Sequence, residues 1–252
     1  MKRPLPVEDD IASAPSQTLK AVLGLRGLIV DGILRAGQRV SEPLIAERFG
    51  VSRTPARAAL TQLREEGLIE ALPTGGYITS AFTERDVFDA IELRGTLEGL
   101  AARFAAERGV PPSVLEQMQQ CVTELDGAVA EFSTSNNPDS YVRLNDRFHE
   151  LLVEAGQSPV IKRSLERVLN LPFAAPNAFV SSSRSEIPGA ARIMATAQEQ
   201  HRSIVDAIRH REGKRAEALA CEHSRSAWSY LRVALNAAPP LNQFPGFGLI
   251  RR

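Results

Sequence analysis

The sequence predicts a mainly α protein, an N-terminal winged helix-turn-helix followed by an all-helical bundle. Three observations predict it. Residues 84–235 repeat apolar positions at helical spacing, broken only at segments rich in Pro, Gly, Ser or Asn. Residues 16–80 instead mix helical periods with two short runs that alternate like strands. No apolar run approaches the length that crosses a bilayer, so these helices must pack on one another.

Residues 1–15 hold three prolines and the acidic run Glu8, Asp9, Asp10, and are expected to be disordered. "TLKAVLGLRGLIVDGIL" has a helical apolar period, and "RAGQRV" follows as a Gly-containing turn. "SEPLIAERF" opens on Ser41 as N-cap, with Pro43 in the first turn, where its missing N–H costs nothing. "GVSRTPARAALTQLREEG" turns at Gly50, is capped by Ser52, carries Pro55 in its first turn and ends at Gly67. Two short helices around a glycine turn fit a helix-turn-helix. "LIEAL" and "YITSAF" then flank "PTGG", a small hairpin or wing. Residues 84–235 form the helical domain, with breaks at "RGVPPS", "STSNNPDS", "GQSP", "NLPFAAPN" and "REGK". The tail 236–252 is expected to lack regular structure.

With 252 residues, 43% of them hydrophobic, the chain can fill two cores. "MKRPLPVEDD" has no apolar segment behind its basic residues, so no secretory signal is expected. Cys121 and Cys221 form no metal or redox spacing, which fits a reducing cytoplasm. The formal net charge is zero, but the average hides a bias. Between Lys20 and Arg64 eight basic residues face three acidic ones, about +5 for that stretch. A polyanion would dock there.

The helix after Ser52 presents Arg53, Thr54 and Arg57 in its first turns. Arginine at the start of a recognition helix can bond guanine O6 and N7 together, while the Ser52 and Thr54 hydroxyls suit phosphate oxygens. Gly75 and Gly76 let the wing backbone approach the duplex. On charge alone, two arginines on an exposed helix face need no function; the order of elements favours the DNA-reading role.

A second pattern lies in "YVRLNDRFHELLVEAG". Helical spacing groups Val142, Asn145, His149, Leu152 and Val153, so an amide and an imidazole share an apolar stripe. His201 shares one with Ile204, Val205 and Ile208, and His223 one with Leu219, Ala220, Ala227 and Tyr230. His210, between two arginines, reads as exposed. Three histidines inside a bundle admit two readings: buried groups with their own hydrogen-bond partners, or ligands of one ion held by facing helices. Arg94 and Glu98, one turn apart, read from spacing as a surface salt bridge. The stripes around the histidines offer no general base for hydrolysis besides Asn145.

"SEPLIAERFGVSRTPARAALTQLREEGLIEALPTGGYIT" resembles the winged helix-turn-helix of GntR-family bacterial transcription regulators. "DAIELRGTLEGLAARFAAER", "LNDRFHELLVEAGQSPVI" and "EQHRSIVDAIRHREGKRAEALACEH" resemble the ligand-sensing FCD domain of the FadR-type branch, so the likeness covers about residues 17–235. The resemblance implies DNA contacts from Ser52, Arg53, Thr54, Arg57, Gly75 and Gly76. It implies a divalent metal held by Asn145, His149, His201 and His223, with zinc first and nickel or manganese as other candidates. It implies Arg94 in an effector pocket. The expected protein is a cytoplasmic homodimeric repressor on a palindromic operator of double-stranded DNA, governed by a small organic acid, with no membrane partner and no enzymatic activity. A metal-dependent hydrolase with an accessory DNA-binding module and a metal-free sensor are the rivals.

Overall fold

The computed structural model describes residues 16–171, 173–178, 180, 189–236 and 246–251; the stretch 1–15 expected to be disordered lies outside them. Helix α1 (Gln17–Val30) begins where Ser16 accepts the Leu19 N–H, and it buries Ala21, Val22, Leu25 and Ile29. It stops four residues short of the apolar run, because Gly32 takes a left-handed turn. The segment read only as a turn also holds a short strand, β1 (Arg39–Val40).

Helix α2 (Glu42–Phe49) starts at Ser41, with Pro43 in its first turn, and ends on Gly50 at φ 61°. Helix α3 (Arg53–Glu65) follows at once and buries Ala56, Ala59, Leu60 and Leu63 against the module's core. Ser52 holds the N-cap position, but its side chain makes no capping hydrogen bond, which corrects the expected cap. Strands β2 (Ile69–Ala71) and β3 (Tyr77–Thr79) form the wing, antiparallel, with Glu70 opposite Ile78. β1 joins the far side of β3, giving the order β1-β3-β2.

Strand β4 (Phe82–Thr83) leads into α4 (Glu84–Arg108), whose start is locked by a capping box between Thr83 and Asp86. The helical region continues as α5 (Pro112–Ser135), α6 (Asp139–Ala155), α7 (Pro159–Leu169), α8 (Ala190–Arg209) and α9 (Gly213–Asn236). α4 packs against α6, α7, α8 and α9. Its closest approach is to α9, and two glycines make it so. A methyl group on Gly95 would stand 2.1 Å from Ser224 Oγ, and one on Gly99 would stand 2.6 Å from Cys221 Sγ. Without side chains there, α4 brings Arg94 and Glu98 into the bundle beside α9.

The end of the chain differs from expectation. After a 3-10 turn over Phe247–Leu249, strand β5 (Ile250–Arg251) pairs in parallel with β4, and Leu249 is fully buried. Gly246 N–H also reaches Val30 O at the end of α1. Apolar residues beside the Pro/Gly-rich run have found a place in the core, which local composition does not reveal. The rest of the tail lies outside the described residues. Among the described residues, no helix is long and apolar enough to cross a membrane.

Candidate metal centre and nucleic-acid interface

Asn145 and His149 come from α6, His201 from α8 and His223 from α9. α6 sits over the bundle through Tyr141, Leu144, Phe148, Leu151 and Leu152, all buried, and this face carries Asn145 and His149 inward with it. Val142 and Val153 lie only half-buried, so the apolar stripe is centred slightly to one side of the expected one. His201 and His223 are carried in by Ile204, Val205, Ala220 and Tyr230. His210 is exposed, as its flanking arginines suggested.

The three imidazoles meet. His201 Nε2 lies 3.0 Å from His223 Nε2, which lies 3.4 Å from His149 Nε2. All three rings are buried, and the ring of Phe148 packs on His201 at 4.1 Å between centroids. Their other nitrogens all face side-chain oxygens. His201 Nδ1 is 3.0 Å from Gln198 Oε1, and His223 Nδ1 is 3.3 Å from Gln200 Oε1. His149 Nδ1 is 2.9 Å from Glu98 Oε1, close but off the line of a hydrogen bond. The amide oxygens at Nδ1 of His201 and His223, and the Glu98 carboxylate beside that of His149, favour the tautomer that leaves the Nε2 lone pairs converging.

Burial, then a neighbouring imidazole (His223 for His201, His149 for His223), pushes His201 and His223 well below the usual imidazole range, so both are neutral near pH 7. Burial works to raise the Glu98 carboxyl, but His149 and Arg94 outweigh it and hold the group at about 2. Asn145 is oriented by a residue outside the helices. Its Nδ2 donates to Asn177 Oδ1 at 3.0 Å, while Asn177 Nδ2 donates to Val142 O and Asp146 Oδ1. Asn145 Oδ1 is thereby left buried with no hydrogen-bond partner.

This donor set fits a transition metal. Two nitrogens each about 2.0–2.1 Å from one ion stand roughly 2.9–3.4 Å apart at octahedral to tetrahedral angles. The two separations that involve His223 fall there, the three ligand atoms all lie within 4.8 Å of one another, and Asn145 Oδ1 is an orphaned acceptor lining the same cavity as His149 and His223.

That cavity, about 40 Å³, is also lined by Arg94, Tyr141, Asn177 and Tyr230. Arg94 and Glu98 are each only 2% exposed, which corrects the surface salt bridge expected from spacing. Spacing gives a pair's face, and here α9's approach through the two glycines buries that face. The pair is not closed: Arg94 Nε is 3.7 Å from Glu98 Oε2, Nη2 donates to Ser224 O, and Nε and Nη1 have no hydrogen-bond partner. Buried guanidinium donors without acceptors are costly unless an anion fills them. Glu98 is also the carboxylate that the histidine stripes did not reveal. It sits behind His149, on the side away from Nε2, where it cannot serve a nucleophile on an ion.

The N-terminal set lies apart from this centre. Ser52, Arg53 and Thr54 are exposed at the start of α3, and Gly75 and Gly76 stand in the wing turn at φ 89° and 83°. Arg57, one turn further, is exposed but engaged: Glu42 of α2 accepts from its Nε at 2.7 Å and its Nη2 at 3.1 Å. Glu42, Gln198, Gln200 and Asn177 were missed by sequence reasoning. Only Gln198, three residues before His201 on the same buried face, left a signal that could have found it.

The family described as FCD domain matches residues 89–226, and that described as bacterial regulatory proteins, gntR family, matches residues 17–78. A probable D-xylose utilization operon transcriptional repressor of Paenarthrobacter nicotinovorans is 28% identical over 198 residues, 77% of this chain and 80% of that protein. The Glc operon transcriptional activator of Escherichia coli K12 is 27% identical over 219 residues, 79% of this chain and 82% of that protein. Among solved structures, E. coli McbR/YncC superposes with a TM-score of 0.58 at 17% identity, covering 89% of this chain and all of that one.

Proposed function

This chain belongs to the gntR family of bacterial regulatory proteins, with an FCD domain behind its helix-turn-helix, and we propose that a metal-centred effector site in that domain controls its grip on an operator. It is a DNA-binding transcriptional regulator; its families and relatives are regulators and not enzymes. The hydrolase alternative is set aside on that ground.

In our reading, His149, His201, His223 and Asn145 hold a divalent metal, zinc first. The observation that carries this is the convergence of three Nε2 atoms whose Nδ1 partners are all oxygens. When bound, the ion supplies a Lewis-acid position for an oxygen of the effector. Arg94 offers two free donors to a carboxylate in the same cavity. A cavity of about 40 Å³ suits only a small molecule, and with the Arg94 donors we read the effector as a small organic acid.

Arg53, Thr54, Ser52, Arg57, Gly75 and Gly76 contact DNA in this reading, with Arg53 reading a base and Ser52 and Thr54 holding phosphate. Two copies of the chain bind two half-sites of a palindromic operator in the cytoplasm. Leu93, Val160 and Leu169 are 47%, 65% and 39% exposed on α4 and α7, apolar surface that suits a second copy. We favour a repressor released by its effector; the two relatives named above are one repressor and one activator.

Metal analysis of protein purified without a His-tag tests the centre. The wild type should carry close to one zinc per chain, and His149→Ala much less. Equal content in the two would contradict the site. No metal in either would favour a metal-free sensor, in which the 3.0 Å contact of His201 and His223 is an N–H···N bond.

A further inference from the structure

Each imidazole of the cluster backs onto a side-chain oxygen, but the three oxygens are not alike. Gln198 and Gln200 offer neutral amides, and Glu98 offers a carboxylate. Glu98 comes from α4, which contributes no ligand, and it stands beside His149 because α4 packs on α6 as well as on α9. Its carboxylate lies between the two, with Oε1 2.9 Å from His149 Nδ1 and Oε2 3.7 Å from Arg94 Nε, so the contact to the imidazole is the shorter.

Charge makes the asymmetry matter. A divalent ion among neutral imidazoles and an amide adds two positive charges to a core that already contains Arg94. Buried charge must be paired or it is strongly destabilising. Among the described residues, the buried acids are Glu66, which Arg26 of α1 takes at 2.6 Å, and Glu98. In the bundle, then, Glu98 is the buried fixed anion. Asn145 sits where a carboxylate would have shared that task, and it is neutral.

We propose that Glu98 is a positioning residue of the metal centre. Its carboxylate accepts the Nδ1–H of His149 after a small rotation of the ring, keeps Nε2 turned toward the ion, and supplies the negative charge that Asn145 lacks. The proposal rests on the metal reading above. It assigns Glu98 a role in metal affinity that a plain partner of Arg94 would not have.

The test uses the full chain, without a tag, stripped by a chelator and titrated with Zn²⁺ against a competing chelating dye. Glu98→Gln keeps the size and an acceptor oxygen and removes the charge. The expected result is a zinc dissociation constant raised about 10–100-fold, with the circular dichroism of the metal-free protein unchanged. In Co²⁺-loaded samples the ligand-field bands should also shift in the variant, since His149 loses its orientation. Equal zinc affinity in variant and wild type would overturn the role of Glu98 while leaving the metal site standing. Zinc binding by neither would overturn the metal reading and this proposal with it. Should Glu98→Gln not fold, imidazole proton spectra of the zinc-loaded wild type decide: a His149 Nδ1–H resonance shifted downfield and protected from exchange, as a bond to a carboxylate makes it, supports the assignment, and an unshifted, freely exchanging one overturns it.

Discussion

At the scale of single residues, function here depends on polar groups whose partners are incomplete. Arg53 is exposed at the start of α3 with room to reach a base edge, whereas Arg57 is held by Glu42. Arg53→Ala should therefore lower discrimination at one base pair of each half-site by about 1–3 kcal/mol, measured on an operator and its single-base variants. Uniform weakening on every sequence would mean that Arg53 only holds phosphate. In the bundle, Asn145 Oδ1, His149 Nδ1, Glu98 Oε2 and two donors of Arg94 are buried without hydrogen-bond partners. The histidines were legible because imidazole on an apolar stripe is conspicuous. Gln200, the partner of His223, and Asn177, the partner of Asn145, were not, since each reaches across space from another element and no spacing rule links the pairs.

Elements position these groups, and α4 decides most. Its helical span was legible from the apolar period that starts at residue 84, and the helix-turn-helix from Ser41, Gly50 and Pro55, whereas the capping box of Thr83 and Asp86 emerged only in the structure. The burial of Arg94 and Glu98 was not, because it follows from what the glycines of α4 meet on α9. Gly99→Val tests this. Its β-carbon would fall 2.6 Å from Cys221 Sγ and 3.0 Å from the Glu217 carbonyl, so α9 must move outward. Overpacking of this kind should cost about 1–3 kcal/mol in urea unfolding, and it should also weaken metal binding as His223 is carried away. Unchanged stability would show that the contact between α4 and α9 is looser than described.

At the scale of the molecule, the charge excess near the N-terminus and the buried centre in the bundle belong to separate regions, and the end of the chain touches the connection between them. β5 pairs with β4 just before α4, and Leu249 is buried in the main core. Leu249→Ala should cost about 2–5 kcal/mol, read from urea unfolding of the full chain. A loss below 1 kcal/mol would return the tail to the unstructured role that its Pro and Gly content suggests. In our reading, effector control depends on three imidazoles from three helices sharing one ion. Anomalous diffraction from crystals grown with zinc measures this directly. The account predicts one strong peak between the Nε2 atoms of His149, His201 and His223, about 2.0–2.1 Å from each. Protein crystallised with zinc that shows no peak there, or shows it only at surface carboxylates, would contradict it.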